Sequence, residues 1–344
     1  MNRNRITRRK IIPAVIIAII AILLFWLGLN FISGRLEQDE QFGDTGGWGE
    51  SDDGYETVLT FADKDYSSND DVEAFVIAGT DLGGVDQGEG FNGELADFIV
   101  VLLIDDTTEK FAFYPIDRNT MVDVPIINEN GDIQNFAYEQ ICTSHWYGKD
   151  AEQRNQNLMN SVTDALGGLD MSGYYVINMA DIAQLNDAIG GVTVDIDEDM
   201  TDLDSAFTAG SKVHLDGKQA EHYLRARMNV GDGTNAARMA RQQQYMQNAY
   251  NMVTDQLREN PAYLSDLYDQ LQSKVQSDGN DKRVSVITNK LMSYRNMGII
   301  NFKGEVRTGD AINEGKTHEE FYVDESSVLA GLRKVMDIQE YDGE

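Results

Sequence analysis

From Ile11 to about Ile32 the chain carries no charged residue, and Arg3, Arg5, Arg8, Arg9 and Lys10 precede that run. At about 1.5 Å per helical residue, such a run crosses a bilayer core of roughly 30 Å. A soluble helix of this length would show a polar face, and this one has none. The pattern predicts a signal anchor over residues 11–33, with residues 1–10 cytoplasmic and the rest of the chain outside the membrane. No small-x-small cleavage pattern lies between Trp26 and Gly34, so the anchor is expected to be retained. Residues 35–54 then turn to Gly, Asp, Glu and Ser, the composition of a solvated linker. About 20 such residues reach roughly 25 Å, which keeps the folded part near the membrane. Residues 55–71 are expected to form a short ordered lead-in, so 34–72 reads as linker plus lead-in.

Beyond that point the apolar runs become short. Phe75 to Ala78 and Phe98 to Ile104 lack helical period and are rich in Val and Ile, so they read as buried strands. Lys110 to Ile116 is a third strand after the polar turn DDTTE. Residues 151–167 form a helical pattern ending at Gly167-Gly168. Strands are expected at Tyr174 to Asn178 and Val192 to Ile196, with a helix at about 180–189 between them. Helices are expected at about 217–225 and 235–258. The tail predicts a helix near 262–275, a strand at VSVIT, then FYV leading into a helix at about 325–336. The alternation defines a mixed α/β fold, a central sheet covered by helices. Residues 73–258 carry the site motifs, and 259–344 read as the C-terminal part of the same extracytoplasmic domain.

Charge narrows the function. The first 35 residues hold six of the 28 Lys and Arg and no acid, so the remainder carries 22 basic residues against 58 acidic ones, a net −36. Such a surface repels nucleic acid and anionic headgroups, which excludes a DNA-binding role. An anionic ligand would have to be held by a local basic cluster or a metal. Cys142 is the single cysteine, so no intramolecular disulfide forms. Cys142 and His145 would be half a zinc site, but no second pair follows. No Gly-x-Ser-x-Gly elbow is present.

Two constellations remain. Asp81 sits just past one predicted strand and Asp97 opens the next, with a Gly-rich stretch between them. Carboxylates at neighbouring strand ends can share one hard cation, although turn aspartates give the same pattern. The second set is basic: Arg118 after the third strand, Arg225 and Arg227 in RAR, and Arg238 and Arg241 in RMARQQQ. Arginine forks suit phosphate, although solvated surface arginines would read the same way. Arg238, Arg241 and Gln242 share a helix face near a start marked by Thr234 or Asn235 as N-cap. That end of a helix favours anions. Arg225 and Arg227 can face one ligand only if the preceding helix stops near Arg225. The apolar positions Met246, Ala249 and Val253 on the same long helix read as core.

In this order the motifs FVIAGTD, ELADFIVVLLID, YPIDRNT, NFAYE, DAIGGVTVDI, VHLDGKQAEHYLRAR and DGTNAARMARQQQ resemble the LytR–CpsA–Psr family over about Asp71 to Leu257. The resemblance implies an α/β domain whose sheet and helices enclose an apolar slot for a polyprenyl chain. It implies Asp81 and Asp97 as aspartates for magnesium (or manganese). It implies Arg118, Arg225, Arg227, Arg238, Arg241 and Gln242 as pyrophosphate contacts, with a structural role open to Arg241. Arg118, Asp81 and Asp97 would then be the catalytic residues. The implied activity is a phosphotransferase that attaches a teichoic acid- or capsule-like glycopolymer from a polyprenyl-pyrophosphate carrier to peptidoglycan. The alternative is a non-catalytic polyprenyl-pyrophosphate binder that regulates the envelope. Two departures favour that alternative: Leu95 and Ile133 stand where the family usually has an arginine and a lysine.

Overall fold

The computed structural model describes residues 57–69, 71–81, 94–226, 233–260 and 318–341, and most of 263–309. The anchor expected over 11–33 and the linker to residue 54 lie outside the described residues, as does Arg227. No helix among the described residues is long and apolar enough to cross a membrane.

The lead-in folds into a hairpin, β1 (Thr57–Phe61) and β2 (Lys64–Ser68). Its turn residues Ala62 and Asp63 both take positive φ. Next come β3 (Val72–Asp81), β4 (Leu95–Asp105) and β5 (Lys110–Ile116), an antiparallel meander. A second hairpin, β6 (Met121–Ile127) and β7 (Ile133–Gln140), leads through a 3-10 turn at Ile141–Trp146 to α1 (Ala151–Ala165). The chain re-enters the main sheet as β8 (Gly173–Asn178), parallel to β3. Then follow α2 (Ile182–Ala188), the pair β9 (Val192–Asp195) and β10 (Lys212–Leu215), α3 (Gly217–Arg225) and the long α4 (Asn235–Glu259). β11 (Val275–Ser277) and β12 (Arg295–Ile299) close the two edges of the main sheet, whose order is β11-β8-β3-β4-β5-β12. A last hairpin, β13 (Gly304–Gly309) and β14 (His318–Val323), precedes α5 (Glu325–Leu332), and β15 (Ile338–Glu340) returns to pair with β2.

The sheet is buried on both faces, which is why its central strands read as continuous apolar runs. Phe75 and Ile77 of β3 face a core shared with α2, α3 and α4, through residues such as Leu185, Tyr223 and Val253. Ala74, Val76 and Ala78 face the opposite core, formed with α1 and α5.

One expected strand is a helix. Within VSVIT, the described residues Val286 and Ile287 are helical. Ile287 is buried and Leu291, one turn on, packs against the same core, while Val286 is exposed. A five-residue apolar run cannot distinguish a strand from one side of a helix. The final helix also stops at Leu332, four residues earlier than expected. The expected helix near 262–275 gives way to β11 at Val275, because Val275 to Ser277 pair with the edge of β8.

Candidate functional site

The ladder between β3 and β4 slips by one residue near its end. Gly79 faces Phe98, Thr80 faces Ala96 and Asp81 faces Leu95, so Asp97 is the extra residue of a β-bulge. Bulges re-aim side chains at sheet ends. Here Ala96 belongs to one core and Phe98 packs on the other. At this bulge the Asp97 carboxylate meets Arg118 and Arg238.

Arginines from three distant segments meet these two aspartates. Arg118 follows β5 in a turn closed by Thr120 N–H donating to the Asp117 carbonyl at 2.9 Å and Asn119 N–H donating to Asp117 Oδ1 at 2.9 Å. The Arg118 carbonyl accepts from Cys142 N–H at 3.2 Å, so its backbone is tied on both sides. Its Nε lies 2.6 Å from Asp97 Oδ1, with the two side chains 12% and 14% exposed. The contact is an ion pair rather than an aligned hydrogen bond. Burial disfavours the charge on Arg118. The field of Cys142, Asp97, Asp117 and Glu319 outweighs it and holds the guanidinium above its ordinary range. Burial pushes the Cys142 thiol itself up to about 11, which keeps it protonated.

Helix α4 supplies the second arginine. Its N-cap is Thr234, whose hydroxyl accepts from Ala237 N–H at 3.1 Å. Asn235 is thereby left to work on side chains. It donates to Asp117 Oδ1 at 2.7 Å and accepts from Arg238 Nη2 at 2.6 Å. Arg238, 4% exposed, brings Nη1 to 3.8 Å from Asp97 Oδ2. The third arginine is Arg225, at the last position of α3, where it pairs with Asp81 and with Glu221. The helix does stop at Arg225, the condition for Arg225 and Arg227 to share a ligand, but Arg227 lies outside the described residues.

Arg241 and Gln242 hold the frame. Arg241 donates to the carbonyls of Tyr223 and Ala226, and Gln242 Nε2 donates to the Leu224 carbonyl at 3.2 Å. These are carbonyls that the end of α3 cannot satisfy within the helix. Arg241 is thus engaged with backbone at the end of α3. Asp117 and Asn235 are site residues that the motif reading did not single out. Glu94, just before β4, accepts from Thr80 Oγ1 and from Asn178 Nδ2, and its carbonyl meets His145 Nδ1 at 2.9 Å. The DGTNAAR run is a signal for Asn235. The other ring nitrogen of His145, Nε2, meets Asn155 Oδ1 at 3.0 Å.

Asp97, Arg118, Asn235 and Gln242 line one pocket. On the far side of Phe98, Gln242 and Met246, which line both spaces, lies an apolar cavity of ≈ 60 Å³ bounded by Gly79, Met179, Leu185 and Tyr245. The charged pocket thus shares a wall with apolar space. That cavity is much smaller than a polyprenyl chain. Met246, Ala249 and Val253 are buried, as the core reading expected. For a cation, Asp81 and Asp97 offer hard oxygen donors at adjoining strand ends, which suits magnesium or manganese. No group of three His, Cys, Asp or Glu stands together among the described residues, so water and phosphate oxygens would have to complete the shell.

Fold and site together define a mixed α/β domain with an arginine–aspartate cluster at the sheet end, walled by apolar residues. Comparison with known proteins gives that class a family. The LytR_cpsA_psr family model matches residues 50–329, and the chain belongs to that family. The chain is 27% identical over 244 residues to the polyisoprenyl-teichoic acid–peptidoglycan teichoic acid transferase TagU of Oceanobacillus iheyensis, covering 67% of each sequence. Its fold matches crystal structures of B. subtilis TagV (TM-score 0.57, 16% identity, 78% of this chain and 96% of that one) and of a Streptococcus agalactiae protein (TM-score 0.58, 17% identity, 77% and 86%).

Proposed function

We propose that this chain transfers a glycopolymer, carried on a polyprenyl pyrophosphate, to peptidoglycan from the outer face of the cell membrane. Residues 11–33 would anchor it there with the N-terminus in the cytoplasm. One observation carries the reading: guanidinium groups of Arg118 and Arg238 meet Asp97 and that of Arg225 meets Asp81, at the adjoining ends of β4 and β3, beside apolar space. Converging arginines repel one another unless anionic groups lie among them. Phosphoryl transfer is mostly positioning and charge stabilisation, and this set of side chains is suited to both. A sugar hydroxyl of the wall attacks the phosphorus that bears the glycan. A new P–O bond forms, the bond to the bridging oxygen breaks, and polyprenyl phosphate leaves. The hydroxyl proton passes to Asp81 or Asp97. Arg118 and Arg238 hold the pyrophosphate oxygens, and Arg225 reaches them from Asp81. Magnesium or manganese, when bound at Asp81 and Asp97, supplies further positive charge to the transferring group.

A second reading has its own observation. Leu95 is buried as the cross-strand partner of Asp81, where the family usually places an arginine, so one charge is missing beside that carboxylate. A binder of polyprenyl pyrophosphate without transfer would tolerate that loss. The test is transfer of labelled lipid-linked glycan to a peptidoglycan fragment by the full chain in detergent with magnesium. Transfer by wild type and its loss in Arg118→Ala support the transferase. No transfer, with polyprenyl pyrophosphate binding that Arg118→Ala weakens, makes the chain a binder.

A further inference from the structure

The β6–β7 hairpin turns Phe136 and Tyr138 outward, 61% and 57% exposed. They stand two residues apart on β7, opposite Pro125 and Asp123, and so share one face. Tyr138 lies against Tyr322 of the neighbouring hairpin, ring centroids 6.4 Å apart at 42°. Arg307 covers the Tyr322 ring at 4.3 Å. Large exposed aromatics grouped in this way are uncommon on a surface with nothing to bind. They form one bank of an open groove of ≈ 1000 Å³. The other bank is polar, with Asn160, Thr163 and Asp164 of α1.

Charge selects the occupant. Among the described residues, the ionisable ones lining the groove, Asp123, Tyr138, Asp164, Tyr322 and Glu325, are acidic or phenolic, and none is Lys or Arg. A phosphate-rich polymer, an anionic membrane and a second copy of this acidic chain are all repelled. An uncharged sugar chain is not. The C–H faces of pyranose rings lie flat on aromatic rings, while hydroxyl and acetamido groups bond to carboxylates, amides and threonine. The groove also leads to the arginines through shared walls. Ala165 and Val323 line both it and a neighbouring cavity of ≈ 300 Å³. That cavity in turn shares Ile116, Met239 and Gln243 with the pocket of Asp97 and Arg118.

We propose that this groove binds the acceptor, an uncharged stretch of N-acetylated glycan laid along Phe136 and Tyr138 with its reacting end toward Arg118. The acceptor role rests on the transferase reading; the sugar binding does not. The test titrates the full chain in detergent with chitohexaose by calorimetry, for wild type, Phe136→Ala/Tyr138→Ala and Arg118→Ala. Wild type and Arg118→Ala are expected to bind alike, and the double variant at least about tenfold more weakly with an unchanged melting temperature. In the transfer assay the double variant should raise KM for the peptidoglycan fragment and leave kcat near wild type. If chitohexaose binds as expected but wild type transfers nothing, the groove stands and the transferase reading falls. Equal affinity in wild type and double variant overturns the proposal, as does no binding by wild type at millimolar sugar. A change from dimer to monomer caused by the double variant would make the face an interface between copies, and would overturn it too.

Discussion

Arg118 shows how much the site depends on single side chains. Its backbone is tied by the turn before it and by Cys142 N–H, and its charge is buried against Asp97. Arg118→Ala should lower transfer by about a hundredfold or more, the usual effect of deleting a charged contact to a reacting phosphate. It also strands a buried carboxylate, which costs about 3 kcal/mol or more in other proteins. Adding Asp97→Asn should return much of that stability in urea unfolding without returning transfer. If it returns both, Arg118 acts on folding and not on phosphate. His145 offers a second test at this scale. Burial lowers its pKa in the folded protein, against the bonds to Glu94 and Asn155. The unfolded chain therefore takes its proton first, as pH falls through about 6.5. The stability owed to neutral His145 is present above that pH and lost below it. Wild type should lose more unfolding free energy between pH 7.5 and 5.5 than His145→Gln; equal losses would remove His145 from the account. Those two pH values are chosen to lie about one unit either side of an ordinary histidine.

Between elements, the decisive junction joins α2, α3 and α4. Asp216 caps α3 in a capping box with Gln219, which sets where the helix begins. Nine residues later it stops at Arg225, and Arg241 and Gln242 take up its last carbonyls from α4. Arg225 thus faces Asp81 because of two helix ends. Gly217, the first residue of α3, lies so close to α2 that a Cβ would run into the Ala183 carbonyl oxygen and stand 2.7 Å from Asp187 Oδ2. Backbone on one side cannot rotate away. Gly217→Ala should therefore cost about 1–3 kcal/mol, the range for overpacking, and should lower transfer by displacing Arg225. Guanidinium melts and the transfer assay read the two effects; an unchanged melting curve would mean that α2 and α3 separate freely. The bulge at Asp97 is the other element-scale device. A regular ladder would send Asp97 to the face opposite Asp81.

Across the whole molecule, the ends of the described chain meet. β15 adds to β2 with Ile338 opposite Ser68, and Tyr341 N–H donates to the Asp65 carbonyl at 2.9 Å. Ile338 is buried in the core that holds Leu59, Tyr66 and α5. The Lys64–Glu340 ion pair beside them is exposed and adds little. Truncation before Ile338 removes one buried aliphatic side chain, worth about 1.5–3 kcal/mol. The melting temperature should then fall by roughly 5 °C, and proteolysis should start in the β1–β2 hairpin. An unchanged melting temperature would show that the C-terminal strand only decorates the fold. Neither the Arg118 network nor the aromatic groove touches β15 directly, so transfer by the truncated chain at low temperature should stay close to wild type.

The amino-acid sequence by itself determined the anchor pattern, the strands β3, β4 and β5, the helices α1, α3 and α4, and the residue types of the site. Each rests on local information: an uninterrupted apolar run, β-branched content, a cap, a terminal glycine pair. The β6–β7 hairpin escaped it, because Pro125 interrupts β6 and β7 is exposed along much of its length, so neither strand carries a buried-strand pattern. VSVIT read as a strand because five residues hold too little period. Tertiary structure alone decided that Asp97 sits in a bulge, that Arg225 and not Leu95 brings charge to Asp81, and that Arg241 donates to backbone carbonyls at the end of α3. It also decided that Asn235 and Asp117 join the site. Those outcomes depend on which distant segments come within hydrogen-bond reach, and contacts between residues 97, 118 and 238 leave no periodic trace along a chain.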